Sequence, residues 1–329
     1  MSTRKTKAFP LCAGIAALLV AAAPLSAQAA GTYPNHPVTI VVPFGAGGSA
    51  DVYARQLAQR LQQKLGQTFI VEDKPGAGAV IGTAYVANSP PDGYTLLVNS
   101  NTQTVNETLL KKKPYELLRD FAPVAPINQS SLVLVANDKL KARTLKELIA
   151  LAKSEPGKLN YASSGTGTPY HIAGELFKSM AGINVVHVPY KSSGQARTGV
   201  VAGEVNYMFD ATATMIGLIK GGKVHAIATT GDKRSSILPD VPTMAEAGLP
   251  GYHANIWLGV LAPKKTPAAV VEKLNKAISE ITSSPDIKAA WAKDGVEPMV
   301  MNTVQFKKYI EDDIRNLGKV VKDAHISVQ

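Results

Sequence analysis

The stretch VTIVVPFGAGGSADVYARQLAQRLQQKLG, residues 38–66, changes character twice. VTIVVPF (38–44) is an almost unbroken apolar run, the pattern of a strand covered on both faces. Gly45, Gly47 and Gly48 then interrupt it. DVYARQLAQRLQQKLG (51–66) follows with helical spacing. Val52, Leu57, Leu61 and Leu65 are expected on its buried face, and Gly66 is placed to end it. A strand that feeds a helix through a glycine turn is the repeating unit of an open α/β sheet. The same junction gathers unpaired amides and the positive end of a helix dipole at one point, an arrangement suited to an anion.

Outward from this unit the pattern continues. TFIVED (68–73) reads as a strand. A glycine loop and a short helix (79–88) lead to the Pro91-Asp92-Gly93 turn and the strand YTLLVN. After Pro123 and Pro126, SLVLVAN (131–137) opens a second series of alternating strands and helices, through LNYASS, a helix from Pro169 to Ala181, INVVHVPY, VNYMFD and VHAIATT. NIWLGVLAP (255–263) is a further strand, and helices are expected around 267–282 and 303–323. Two α/β blocks with a helical tail predict two lobes, residues 31–128 with 254–329 and residues 129–253, around a ligand cleft.

The 329 residues suffice for one large or two ordinary domains, and 45% hydrophobic with 18% charged residues is a globular composition. Residues 1–29 read as a cleavable secretory signal peptide: Arg4, Lys5 and Lys7, then LCAGIAALLVAAAPL, then the small-x-small site Ala27-Gln28-Ala29. The one cysteine, Cys12, lies inside this leader, which leaves no thiol, disulfide or Cys-based metal site in the mature chain. Removing three positive and no negative leader charges takes the net charge from +10 to +7, which favours small anions by long-range steering. Nucleic acid is not expected as a partner, because the basic residues are dispersed and not interleaved with aromatics. Lys111-Lys112-Lys113 reads as a solvated loop or helix end.

In the first glycine loop, the amides from Gly45 to Ala50 can point one way, and Ser49 can cap the helix. Gly47→Val is expected to block backbone approach to an anion there. The loop lacks the Gly-Lys-Ser/Thr ending of a P-loop, which argues against a nucleoside triphosphate. GAGAVIG (76–82) has one residue too many for a dinucleotide turn and reads better as a loop packed close to its neighbour. A second strand–glycine–helix unit, YASSGTGTPYHIAGELF (161–177), offers the hydroxyls of Ser163, Ser164, Thr166 and Thr168, with Thr168 able to cap its helix and bond a ligand. His171, in the first turn, could donate to a carboxylate or simply pack. Asp210, ending VNYMFD, could bind an amino group or hydroxyl, order water, or cap the next helix. Neither a Gly-x-Ser-x-Gly elbow, nor His-Glu-x-x-His, nor a metal-spaced cluster occurs, so no cofactor or metal is expected. A hydrolase built on Ser163 or Ser164 with His171 lacks an orienting acid.

In order along the chain, PFGAGGSADVYAR, EDKPGAGAVIG, PDGYTLL, SSGTGTPYHIAGELF, HVPYK, LPDVPTMAEAGLPGY and the Trp257-Leu258-Gly259 strand together resemble the Bug-type periplasmic solute-binding proteins, the extracytoplasmic receptors of tripartite tricarboxylate transporters. The resemblance covers the chain from about Tyr33 onward. It implies a two-lobed periplasmic-binding-protein fold, type II-like, that captures a small carboxylate (a di- or tricarboxylate, an aromatic acid or an amino acid) without chemistry. It further implies a periplasmic monomer that delivers its ligand to membrane permease subunits, or serves a signalling system as a sensor. Carried over by motif, Phe44, Ala46, Gly47, Gly48 and Ser49 of the first loop and Ser163, Ser164, Thr166, Thr168 and His171 of the second would hold the carboxylate. Asn101, Thr102 and Asp210 would line the variable end. The segment PYKSSGQA departs from the family's PYKGGGPA at Ser192, Ser193 and Gln195, which leaves ligand identity open.

Overall fold

The computed structural model describes residues 1–3 and 33–327; the leader's basic start, apolar run, Cys12 and cleavage motif lie outside the described residues. The chain divides into two units, Met1–Tyr33 and Pro34–Gln329, and every element named here belongs to the second. β1 (Val38–Val42) feeds α1 (Ser49–Leu65), followed by β2 (Phe69–Asp73), α2 (Val80–Ala87) and β3 (Thr95–Ser100). Then come α3 (Asn101–Leu109), α4 (Leu117–Asp120) and the long β4 (Phe121–Asn137). The second series is α5 (Leu145–Ser154), β5 (Asn160–Ser163), α6 (Pro169–Ala181), β6 (Val186–Pro189), α7 (Ser193–Ala202), β7 (Tyr207–Ala211), α8 (Thr212–Lys220) and β8 (Val224–Thr229). The tail is β9 (Asn255–Pro263), α9 (Ala268–Thr282), α10 (Pro285–Ala292), β10 (Val296–Pro298) and α11 (Thr303–Asp323). Among the described residues no helix is long and apolar enough to cross a membrane.

The strands form one mixed sheet in the order β2-β1-β3-β9-β4-β7-β5-β6, with β8 and β10 also paired to β4. Two parallel triplets stand in it. β1 lies between β2 and β3, and β5 lies between β6 and β7. Each triplet is joined antiparallel to the rest, β3 through β9 and β7 directly to β4. The two glycine loops therefore leave the central strands of the two triplets. β4 pairs with β9 from Phe121 to Ser131 and with β7 and β8 from Leu132 onward, so one strand belongs to both halves of the sheet. Each half has its own apolar cluster. Val41, Leu97, Trp257 and Phe306 are among the residues of the first, and Val133, Val135, Met208 and Met215 of the second.

Several sequence expectations need correction. β4 begins ten residues before the expected SLVLVAN strand and runs through Pro123 and Pro126. Its register with β9 shifts at both prolines, which is where a residue without an N–H can sit in a strand. The buried face of α1 is Tyr53, Ala54, Leu57, Ala58 and Leu61, while Val52 is exposed. Five residues from 52 to 57 is 500° of helical rotation, so Val52 lies about 140° away from Leu57. Lys113 is not solvated: its side chain is 5% exposed and its ammonium bridges Glu107 at 3.4 Å and Glu116 at 3.0 Å. The short α3, α4, α10 and β10 were not expected. Gly66 ends α1 in the left-handed region (φ 71°), as its position suggested.

Local signals explain the helix starts. In α5 the Thr144 hydroxyl accepts from Glu147 N–H at 3.2 Å while the Glu147 carboxylate accepts from Thr144 N–H at 3.1 Å. Thr144→Ala is expected to destabilise the protein by about 1 kcal/mol, measured by urea unfolding. An unchanged midpoint would show that packing of Leu145 and Leu148 alone holds the start of α5.

Candidate functional site

The two glycine loops converge from opposite halves of the sheet. Between them lies a pocket lined by Phe44, Gly45, Gly48, Ser49 and Ala50 from the first loop and Ser164, Thr168, Pro169 and Tyr170 from the second. Ser100, Ser192, Ser193, Ile256 and Leu258 complete it. Its free volume is about 20 Å³, room for about one water. No side chain with a formal charge is among these walls. The polar groups offered are hydroxyls and the first-turn amides of α1 and α6, which an α-helix cannot satisfy internally. A larger, charged cleft of about 750 Å³ opens between residues 129–131, the 230–236 loop and residues 292–297, but neither glycine loop reaches it. The small pocket is the candidate site, because the N-termini of α1 and α6, which follow the two glycine loops, both reach it.

The structure places the expected residues unevenly. Phe44, Gly48, Ser49, Ser164 and Thr168 face the pocket, whereas Ala46 and Gly47 lie on its exposed rim. The Gly47 N–H does not point at an anion: it donates to Asp51 Oδ2 at 2.8 Å. Asp51, 6% exposed in the first turn of α1, thus occupies part of that helix's positive end with the chain's own carboxylate. Arg55 bonds Asp51 and also bridges Asp73 at 2.8 Å, tying the loop's helix to β2. Ser49 is not the cap, since Gly48 stands at the N-cap position and Ser49 is the first helical residue. Its hydroxyl shares a 3.2 Å hydrogen bond with the Tyr170 hydroxyl of the opposite half.

In the second loop Thr168 stands at the N-cap of α6, but its hydroxyl donates to Gly165 O at 2.7 Å and caps no helix amide. Thr166 contributes a carbonyl against Gly78, where a Cβ would come within 2.6 Å of that oxygen. Gly78 has φ 60°, so this loop is a point of close backbone approach between the halves, in line with the packing reading of residues 76–82. His171 is buried, with Nδ1 accepting from Gly167 N–H at 3.2 Å and its ring 4.2 Å from that of His187. The fully buried Ser163 hydroxyl shares a 2.6 Å hydrogen bond with His187 Nε2 and not with His171, so the Ser163–His171 pairing is not formed. Burial pushes the pKa of His171 down to about 4 and that of His187 to about 3, with His171 adding to the latter. Both rings are therefore neutral braces of the loop at neutral pH.

The variable end also differs. Asn101 Oδ1 accepts the Trp257 N–H at 2.9 Å, fixing α3 to β9, and Thr102 is buried beside it; Ser100 is the residue of this turn that reaches the pocket. Ser100 caps α3 in a reciprocal box with Gln103. Asp210 is fully buried on β7, an interior strand and not a sheet edge. It accepts from Ala211 N–H at 2.8 Å and from Arg197 Nη1 at 2.9 Å, and caps no helix. Burial raises its pKa, and the Arg197 charge opposes that rise. The sequence reading missed Tyr170, Ile256 and Leu258 as walls. Tyr170 was within reach, because it sits beside Pro169 in the first turn of α6 facing the same point as Thr168. Among the described residues no group of three or more His, Cys, Asp or Glu could hold a metal ion.

With the geometry in view, comparison with known proteins places the chain among receptors. The family model described as "Tripartite tricarboxylate transporter family receptor" matches residues 53–326. The chain is 39% identical over 304 residues to Protein BugT of Bordetella pertussis, covering 92% of each. Its fold is similar to that of R. palustris Rpa4515 with adipate, at a TM-score of 0.87 and 32% identity over 90% of this chain and 99% of that one. It is likewise similar to the periplasmic binding protein BugD, at a TM-score of 0.86 and 33% identity over 90% of this chain and 100% of the other.

Proposed function

This chain belongs to the tripartite tricarboxylate transporter receptor family, one of solute-binding receptors and not of enzymes, and we propose that it captures a small carboxylate between its two glycine loops in the periplasm and delivers it to the permease of a tripartite transporter. The observation that carries this is the convergence of the first turns of α1 and α6 on one pocket whose walls hold no charged side chain. Free amides, hydroxyls and two dipole ends favour a carboxylate without a buried ion pair that would have to form and break at each cycle. The adipate of the Rpa4515 structure supports the ligand class.

In this reading, residues 31–128 with 254–329 and residues 129–253 act as two lobes hinged near the middle of β4. A pocket of about 20 Å³ is too small for a dicarboxylate, so the lobes would part to admit one and the liganded cleft would be wider than the one described. Phe44, Gly48, Ser49, Ser164 and Thr168 would contact the ligand, with Ser100, Tyr170, Ser192 and Ser193 beside them. Ala46, Gly47 and His171 would shape the loops without touching it. Residues 1–29 would direct export and be removed, and the mature protein would act as a monomer.

A thermal-shift panel of the mature protein against mono-, di- and tricarboxylates, with neutral diamides as controls, tests the reading. A carboxylate present at 100 times its Kd should stabilise the protein by about 2.7 kcal/mol. A shift from an uncharged compound with none from any carboxylate would overturn it.

A further inference from the structure

Arg197 was not among the expected site residues. It stands on α7, whose start lies along the first glycine loop from the opposite half of the sheet. A Cβ on Gly45 would meet Ser192 Cβ at 2.6 Å, and one on Gly48 would meet the Ser193 hydroxyl at 3.6 Å. Arg197 adds a charged contact to this face. Nη2 donates to Gly47 O at 2.6 Å, across 150 residues of chain, and Nη1 donates to Asp210 Oδ2 on β7 at 2.9 Å. Among the described residues, the other hydrogen bond from this loop to the second half is the neutral Ser49–Tyr170 pair.

Gly47, at φ 76°, is held from both sides. Its N–H donates to Asp51, which bonds Arg55, which in turn bridges Asp73 at the end of β2. A relay of charge-assisted hydrogen bonds thus runs from β2 through Gly47 to β7. Every link in it stays within one half of the sheet except the bond from Arg197 to Gly47, which is made only when the halves meet. Neither Arg197 nor Gly47 is a wall of the pocket, so this bond stands beside the ligand space and not in it. A bond present only in the closed form stabilises that form over the open one. A ligand leaves through the open form, so the bond slows release. It enters through the open form too, where the bond is absent, so entry is unaffected.

We infer that Arg197 is a positioning residue for capture: it latches the first glycine loop to the second half, and so sets how long a captured carboxylate stays, without choosing the ligand or slowing its entry. The inference rests on the capture reading and on the two halves parting as lobes.

Two measurements on the mature protein test it. Asp210→Asn keeps an acceptor for Nη1 and removes the buried charge, so it serves as the reference. Arg197→Met in that background removes the bond to Gly47 and leaves no unpaired buried carboxylate. Arg197→Gln in the same background, too short to reach both partners, replaces it if the methionine packs poorly. Without ligand, hydrogen exchange over residues 45–50 should be about tenfold faster in the double variant than in Asp210→Asn, with α1 beyond Ala58 unchanged. Stopped-flow tryptophan fluorescence then follows succinate, adipate, citrate and glutamate as probes. Dissociation of each probe that binds should be about tenfold faster in the double variant, with association within about twofold and the rank order of the probes kept. Equal dissociation rates in Asp210→Asn and the double variant would overturn the inference while leaving carboxylate capture intact. A changed rank order would also overturn it, because Arg197 would then act on the choice of ligand. A wild type that binds none of the four probes overturns the release claim and removes support for the capture reading together, even if loop exchange quickens.

Discussion

Gly45→Val is expected to weaken ligand capture about 10- to 100-fold while the protein stays folded. A Cβ on Gly45 would lie 2.6 Å from Ser192 Cβ and 3.3 Å from Lys191 O. Those atoms belong to the opposite half of the sheet, so the clash arises where the first glycine loop meets the start of α7. Gly45 is not in the left-handed region, so valine is not strained by its own backbone. If the two lobes open and close as proposed, the overpacking penalty of about 1–3 kcal/mol falls on the form in which these loops meet, and converts to a loss of roughly 5- to 150-fold, which brackets the stated range. Titration with the best carboxylate of the panel, together with solution scattering, checks this: the variant should remain more open when ligand is added. Wild-type affinity in Gly45→Val would show that this close approach has no part in capture. Gly47 is the weaker choice of steric block. A Cβ there would meet only Arg197 Nη2, at 4.0 Å, and the cost of substitution is its φ of 76°.

Asp313→Asn is expected to stabilise the protein by up to about 3 kcal/mol at pH 7.5. Asp313 lies on α11, where its Oδ2 accepts from Thr104 Oγ1 at 2.6 Å and from Trp257 Nε1 at 3.0 Å. Burial raises its pKa from 3.8 to about 6, against the two hydrogen bonds that lower it. Because the folded pKa lies above the unfolded one, the stabilising contribution of the protonated acid is complete below pH 3.8 and is lost as pH rises through about 6. A shift of about two units corresponds to the ~3 kcal/mol stated. Asparagine keeps an acceptor for both donors and carries no charge at any pH. The melting temperature of the variant should exceed that of the wild type at pH 7.5, and the difference should shrink toward pH 4. An equal difference at both pH values would mean that ionisation of Asp313 is not its source. The same carboxyl holds α3 against β9, and α3 begins at the pocket residue Ser100, so the variant should leave ligand affinity within a few-fold of wild type.

The sequence by itself determined the two strand–glycine–helix units, their order and the ends of most helices. These are local properties. The apolar run of β1, the glycines after it, the Thr144–Glu147 cap and the left-handed Gly66 each need only a few neighbouring residues to act. NIWLGVLAP and the span 303–323 matched β9 and α11 residue for residue for the same reason. Tertiary structure alone decided what lies far apart in the chain. β4 continues through Pro123 and Pro126 because register shifts against β9 remove the need for their missing N–H groups. Lys113 is buried because Glu107 and Glu116 converge on it. Ser163 pairs with His187 because β5 and β6 lie side by side, and Arg197 reaches both Asp210 and Gly47 only when the two halves meet. Spacing along a chain encodes which face of a strand or helix is apolar. It does not encode which buried charge will find a partner 150 residues away, and in this protein that partner stands at the mouth of the site.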